Sequence, residues 1–284
     1  MADVVKSIEN FLGEKVKSER SLGGGCIANA RRIETEGGRL YFLKSYPHGG
    51  SKILQNESNG LMELKKAEAI RIPEVILCDD TFLLMEYIES GPRVKNFSEL
   101  FGRQFARMHR YKGEQFGYFE DNYIGATPQV NLPQSSIWTE FYWENRLMYQ
   151  YRLAEKNGYA SNELKDGYRL LEKNIGDIIA GSEEEPAVLH GDLWGGNYMV
   201  DDKGRPCLID PAVYYGHREA DLAMTMIFGG FDSRFYSAYL EEYPLPEGWE
   251  HRSDIYKLYH IMNHLNIFGT GYYSQALRLI NTYR

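Results

Sequence analysis

The chain of 284 residues is 43% hydrophobic and 25% charged, ordinary for a globular enzyme and long enough for one large domain or two lobes. Its formal net charge of -8 and pI near 5.5 argue against a general binder of nucleic acid or of anionic membranes. No apolar run approaches the roughly 18 residues that a membrane span needs, and the first twenty residues read as a charged amphipathic helix rather than a signal peptide. Cys26, Cys78 and Cys207 are widely spaced without metal-site pairing, which fits reduced thiols in a cytoplasm.

Residues 3–12 are expected to form a helix with Val4, Val5, Ile8, Phe11 and Leu12 on one face. From Ser21 the pattern is strand, glycine turn, strand, a second turn at Gly37-Gly38, strand. The first turn, Gly23-Gly24-Gly25-Cys26, has bare backbone able to approach phosphates and donate N–H groups to them. Three glycines in a hairpin are by themselves more often only a turn, and no Gly-Lys-Ser/Thr follows to make a Walker loop. Lys44 changes the weight of that loop. It stands near the end of the strand Leu40–Lys44, where a kinase places the lysine that grips the α- and β-phosphates. Such a lysine needs a carboxylate partner. The helical stretch from Lys52 to Ala69 offers Glu57, Glu63 and Glu68; Leu54, Leu61 and Leu64 define its buried face, and Glu57 follows Leu54 by one turn. Glu57 is therefore the expected partner, and Glu63 the expected solvated charge.

Ile72–Leu77 and Phe82–Ile88 are expected strands, and Glu89-Ser90-Gly91-Pro92 breaks the pattern at a candidate lobe boundary. Main-chain groups of Glu86, Tyr87 and Ile88 would then face adenine. From Ser98 the periodicity becomes helical, residues 116–133 read as a structured loop, and Trp138–Lys156 and Glu163–Ile179 as two long helices. The aromatic stripe of the first is expected to be a packed seam.

The segment Val188–Asp210, VLHGDLWGGNYMVDDKGRPCLID, carries the chemistry. His190, Asp192 and Asn197 share one loop, and a turn at Asp201–Gly204 joins two strands that end at Asp210. His-x-Asp-x-x-x-x-Asn, a strand, then Asp is the kinase catalytic-loop and metal-Asp pattern. In it Asp192 orients an acceptor hydroxyl and takes its proton, while Asn197 and Asp210 hold Mg²⁺ against the ATP phosphates. The stretch after Asp210 is too short for a phospho-regulated activation loop and lacks Ala-Pro-Glu, so a small-molecule kinase fits better than a protein kinase. Asp221 is expected to cap a helix N-terminus, compatibly with a tie to the catalytic-loop backbone. His260 and His264 stand one helical turn apart, but no zincin glutamate and no third ligand accompany them.

The chain resembles the fructosamine kinase (ketosamine-3-kinase) family end to end. The resemblance rests on GGGCI at 23–27, the Lys44 strand, NYIGATPQ at 122–129, WTEFYWENRLMYQYRL at 138–153, HGDLWGGN at 190–197, IDPAVYYGHREADLAM at 209–224 and LYHIMNHLNIFG at 258–269. It implies an α+β, two-lobed protein-kinase-like fold: an N-terminal antiparallel β-sheet lobe with one main helix (1–89) and a larger helical lobe (90–284). It also implies ATP- and Mg²⁺-dependent phosphorylation of the 3-hydroxyl of a ketosamine, free or protein-bound, leading to deglycation. By the same resemblance Asp192 is the base, Asn197 and Asp210 the Mg²⁺ ligands, Lys44 with Glu57 the phosphate clamp, and Trp194, His217 and Glu219 candidate substrate contacts. His217 departs mildly from the family, where an acidic residue is also common. Neither nucleic acid nor membrane is an expected partner; a monomer is expected, with a redox-linked dimer through Cys26 as a variant in which oxidation lowers activity. The alternative reading is a kinase of another small hydroxyl compound, such as an aminoglycoside or a choline-like molecule.

Overall fold

A computed structural model describes residues 2–23, 29–46 and 50–284. The chain opens with α1 (Ala2–Leu12), then β1 (Val16–Leu22), β2 (Asn29–Thr35), β3 (Leu40–Ser45), α2 (Ser51–Lys65), β4 (Val75–Cys78) and β5 (Phe82–Glu86). The strands form one antiparallel sheet in the order β1-β2-β3-β5-β4. Period-2 alternation assigns its two faces. Tyr41, Leu43, Phe82 and Leu84 join Ile8 of α1 in a small core, whereas Leu83 and Met85 point the other way, into the main core with Leu54, Leu61 and Leu64 of α2. Lys44, next to Leu43, therefore emerges on the α2 side. The strand expected from Ile72 begins only at Val75; Pro73 has no N–H to give to a ladder.

The second lobe comprises α3 (Phe97–Met108), the hairpin β6 (Asn122–Ile124) and β7 (Thr127–Gln129), then α4 (Trp138–Tyr142), a π-helical stretch Trp143–Met148 and α5 (Tyr149–Lys156) in direct succession. There follow α6 (Asn162–Ile179), β8 (Ala187–Leu189), β9 (Tyr198–Val200), β10 (Pro206–Leu208), β11 (Tyr214–Gly216), α7 (Arg218–Thr225), α8 (Ser233–Glu242), α9 (Trp249–Phe268) and α10 (Tyr273–Asn281). Ser161 caps α6, accepting the Leu164 N–H at 3.1 Å. Helix α9 is the hub: Ile255, Tyr256, Leu258, Tyr259, Ile261, Met262 and Leu265 are all buried, nearly all round the helix. Helices α3 and α8 press so closely that a Cβ at Gly102 would sit 2.1 Å from the Phe235 carbonyl oxygen. Among the described residues no helix is long and apolar enough to cross a membrane.

The lobes are tied behind the site by Arg71. Its carbonyl accepts the Leu208 N–H at 3.0 Å, extending the β9–β10 hairpin by one edge segment. Its guanidinium donates to Glu86 at the end of β5 (2.6 Å) and to Asp201 in the hairpin turn (2.8 Å). Asp201 is fully buried, a cost that its bonds to Arg71, Arg205 and the Lys203 and Arg205 N–H groups outweigh, so its carboxyl is held down at about 2.

Candidate active site

Strand β8 delivers the catalytic segment. At its end the backbone N–H groups of His190 and Gly191 both donate to the Asp221 carboxylate, at 2.7 and 2.8 Å. Asp221 is buried within α7 rather than at its N-cap, which is His217; the tie to the catalytic loop is what its carboxylate does. It also accepts from His109 Nε2 at 3.1 Å. Burial alone would raise the Asp221 carboxyl, but the His109 bond, His190 and the Gly191 N–H together hold it below the usual range. His190 Nε2 donates to the Ile209 carbonyl at 3.0 Å, which leaves Nδ1 bare to accept the Asp192 N–H at 3.3 Å. One imidazole thus sets the spacing between the Asp192 loop and the strand leading to Asp210.

Asn197 is bound to the same loop. Its Nδ2 donates to the Asp192 carbonyl (2.7 Å) and to Oδ2 (3.1 Å), turning its Oδ1 outward as an acceptor. The Ile209 N–H donates to the Asn197 carbonyl at 3.1 Å, so the hairpin brings Asn197 and Asp210 to one end, as its sequence predicts. Asp210 adopts φ 51°, a left-handed conformation that costs a non-glycine residue energy. Across from it, Lys44 Nζ lies 2.6 Å from Asp210 Oδ1 and 2.7 Å from Glu57 Oε2. The choice of Glu57 over Glu63 holds. Glu63 is not solvated, however: it is buried, accepting the Tyr215 hydroxyl at 2.7 Å and Lys66 Nζ at 2.9 Å.

The charges form a graded set. Burial pushes the Glu57 carboxyl up to about 7 against the pull of Lys44, and the nearby Asp210 charge adds to it. Desolvation also works to raise Asp210, but the Lys44 ammonium outweighs it and holds that carboxyl low. Lys44, with two carboxylates around it, is held protonated despite its burial. Asp192 is pushed up to about 8 by desolvation, opposed by Asn197 and helped by Asp210 and Asp221. Two hard oxygens, Asn197 Oδ1 and the Asp210 carboxylate, suit a divalent cation that takes its other ligands from phosphate and water. Among the described residues no group of three or more His, Cys, Asp or Glu is placed to hold a metal ion.

Of the other candidates, Gly23 follows β1 in open space, while Gly24, Gly25 and Cys26 lie outside the described residues. Glu86 is committed: its carboxylate to Arg71 and its N–H to the Glu74 carbonyl at 2.8 Å. Trp194 is 40% exposed in the catalytic loop. Beyond it runs an aromatic ledge that the sequence reading missed. Phe228 lies 6.5 Å from the Trp194 ring and 4.4 Å from His264, and His264 meets Phe268 and Tyr272 at 5.4 and 5.2 Å. His217 and Glu219 do not join the site. The β8–β11 register pairs Tyr214 with Leu189, beside the catalytic loop, and Gly216 with Ala187, at the far end. His217 is consequently buried between Phe116 and Trp138, and Glu219 is sealed in an ion pair with Arg252 at 2.7 Å.

Comparison with known proteins agrees with this geometry. A fructosamine kinase family model matches residues 1–284. The chain is 39% identical over 270 residues to the chloroplastic protein-ribulosamine 3-kinase of Arabidopsis thaliana, covering 93% of this chain and 81% of that protein. A crystal structure of a Thermobifida fusca protein assigned as a fructosamine-3-kinase superposes with a TM-score of 0.89 at 33% identity, over 100% of this chain and 99% of that one. The ADP-bound aminoglycoside phosphotransferase APH(2'')-Ib shares the kinase-like fold alone, at a TM-score of 0.66 and 14% identity over 99% of this chain and 97% of the other. With Lys44, Glu57, Asp192, Asn197 and Asp210 brought together and the family match spanning the whole sequence, the chain belongs to the fructosamine kinase family.

Proposed function

We propose that this protein transfers the γ-phosphoryl group of ATP to the 3-hydroxyl of a ketosamine. The observation that carries the reading is the Lys44 ammonium shared between Glu57 of the first lobe and Asp210 of the second, with Asp192 and Asn197 on the adjoining loop. Residues 1–89 serve as the nucleotide lobe and 90–284 as the acceptor lobe. Lys44, steered by Glu57, positions the α- and β-phosphates, with glycine-loop N–H groups and the Tyr87–Ile88 main chain completing the nucleotide seat. Asn197 and Asp210 would hold a Mg²⁺, which would supply positive charge against the developing charge of the ATP phosphates. Asp192 orients the sugar hydroxyl and accepts its proton, and Trp194 walls the sugar. Catalysis is positioning and charge neutralisation rather than covalent chemistry. A ketosamine 3-phosphate sheds its amine, so the reaction serves deglycation.

The test is ATP consumption with ribulosyl-lysine and fructosyl-lysine side by side, with Asp192→Asn as control. Turnover on either that vanishes in the variant supports the reading, and their ratio identifies the sugar. Turnover on aminoglycosides or choline with silence on both ketosamines overturns it.

A further inference from the structure

The π-helical stretch carries an oddity: Arg146 is fully buried, and among the described residues no carboxylate lies within ion-pair distance of it. Three rings hold its guanidinium instead, Tyr214 at 4.1 Å, Phe141 at 4.8 Å and Tyr259 at 5.6 Å. Nη1 donates to the Val130 carbonyl at 2.5 Å and Nη2 to Asn131 Oδ1 at 2.7 Å, while Nε has no partner. Burying a charge without a counter-ion costs free energy that hydrogen bonds and the ring faces only partly offset.

Its work is legible in the direction of the bonds. Arginine can only donate, so Asn131 must present its oxygen to Arg146 and its NH₂ elsewhere. That NH₂ reaches Asn122 Oδ1 at 2.9 Å, which forces the Asn122 NH₂ onto the Val213 carbonyl at 2.7 Å. Gln129 is fixed from the other side: the Tyr259 hydroxyl donates to its Oε1 at 2.8 Å, so its Nε2 reaches Asn122 Oδ1 at 2.9 Å and the Ala212 carbonyl at 3.0 Å. Asn122, Gln129, Asn131 and Tyr259 are all buried. The two carbonyls so gripped are consecutive and follow the strained Asp210 by two and three residues. Ala212 in turn donates its N–H to the His190 carbonyl at 2.8 Å.

We infer that Arg146, through Asn131 and Asn122, and Tyr259, through Gln129, set the polarity of a buried amide relay that fixes the position of the metal-holding Asp210. These are positioning residues. The inference rests on the proposed role of Asp210, and it gives the NYIGATPQ motif its work: Asn122 and Gln129, seven residues apart on the β6–β7 hairpin, aim two amide NH₂ groups at one backbone turn.

Binding of ADP with and without Mn²⁺, followed by calorimetry and by the Mn²⁺ paramagnetic resonance signal, tests it in the full chain. Arg146→Met removes the obligate donor, and Tyr259→Phe removes only the hydroxyl that orients Gln129. Both are expected to weaken Mn²⁺-dependent ADP binding, by at least tenfold and about threefold respectively, with metal-free ADP binding within twofold of wild type. Arg146→Lys, which restores a donor, is expected to recover part of the loss. A folded variant whose Mn²⁺-dependent binding equals wild type, or whose metal-free binding falls equally, overturns the relay. Should Arg146→Met fail to fold, Tyr259→Phe decides by the same criterion. Asp210→Ala separates the two readings: if Mn²⁺ gives no gain in wild-type binding, or the gain survives Asp210→Ala, the metal role of Asp210 fails and the relay with it.

Discussion

Asp221→Asn is isosteric, yet the structure predicts a large effect. The Asp221 carboxylate takes the Gly191 N–H on Oδ1 and both the His190 N–H and His109 Nε2 on Oδ2. An asparagine can present its oxygen to only one side. Kept on the side of His190 and His109, it turns an NH₂ toward the Gly191 N–H, donor against donor. One charge-assisted bond worth about 1.5–3 kcal/mol is lost, and a buried N–H is left unpaired at about 1–3 kcal/mol more. Relaxation of Gly191 is blocked, since its φ is +81° and a Cβ there would lie 2.0 Å from the Ala212 carbonyl oxygen, so the backbone has little room to shift. The expected loss is about 3–5 kcal/mol, a large share of the roughly 5–15 kcal/mol that holds a typical protein folded. Thermal and urea unfolding followed by circular dichroism read it directly; turnover should fall more than tenfold, because Gly191 sits between His190 and Asp192. A Tm within about 2 °C of wild type, a shift of roughly 1 kcal/mol or less, would refute this account of the carboxylate.

Three other expectations follow from the same structure. Burial holds His217 and His260 down at about 3 and lowers His109, His190 and His264, so these imidazoles stay neutral in the folded chain where the unfolded chain's take up protons. Stability should therefore be full above the ordinary histidine pKa near 6.5 and fall as pH drops from there toward 3, by up to ~1.4 kcal/mol per pH unit for each histidine involved; urea midpoints flat between pH 7 and 4 would contradict it. Gly102→Ala should destabilise by about 1–3 kcal/mol by forcing α3 off α8, whereas Gly176→Ala, exposed inside α6 with nothing within 4 Å, should stabilise by about 0.5–1 kcal/mol; equal Tm shifts in the two would discredit the packing argument. Lys44→Met should leave Glu57 buried without its counter-charge, abolish turnover and weaken ADP binding at least tenfold by calorimetry.

What the sequence made legible was local in origin. Glu57 could be chosen because Leu54, Leu61 and Leu64 mark the buried stripe of one helix, and Asn197 meets Asp210 because a short turn closes the hairpin between them. Long-range placement escaped it. Glu63 looked solvated because its partner hydroxyl, Tyr215, lies 152 residues away in the chain. His217 and Glu219 sit in a motif rich in functional residues, but strand register carries them to the far end of β11. The aromatic run after Trp138 was expected to be a seam; Trp138, Phe141 and Tyr142 are indeed buried, while Arg146 inside it draws Phe141, Tyr214 and Tyr259 into a cage for a cation. No periodicity of hydrophobic residues encodes that.

The Arg71 tie makes a lever of the β9–β10 hairpin. At one end Arg71 binds the turn, at Asp201, to Glu86 of the opposite lobe; at the other end stand Asn197 and Asp210. A hairpin is stiff along its length, so a tilt of the sheet lobe that moves Glu86 would be delivered at the far tip as a displacement of Asn197 and Asp210. On the proposed roles of Asn197 and Asp210, opening between the lobes and release of the cation would then be geared to each other.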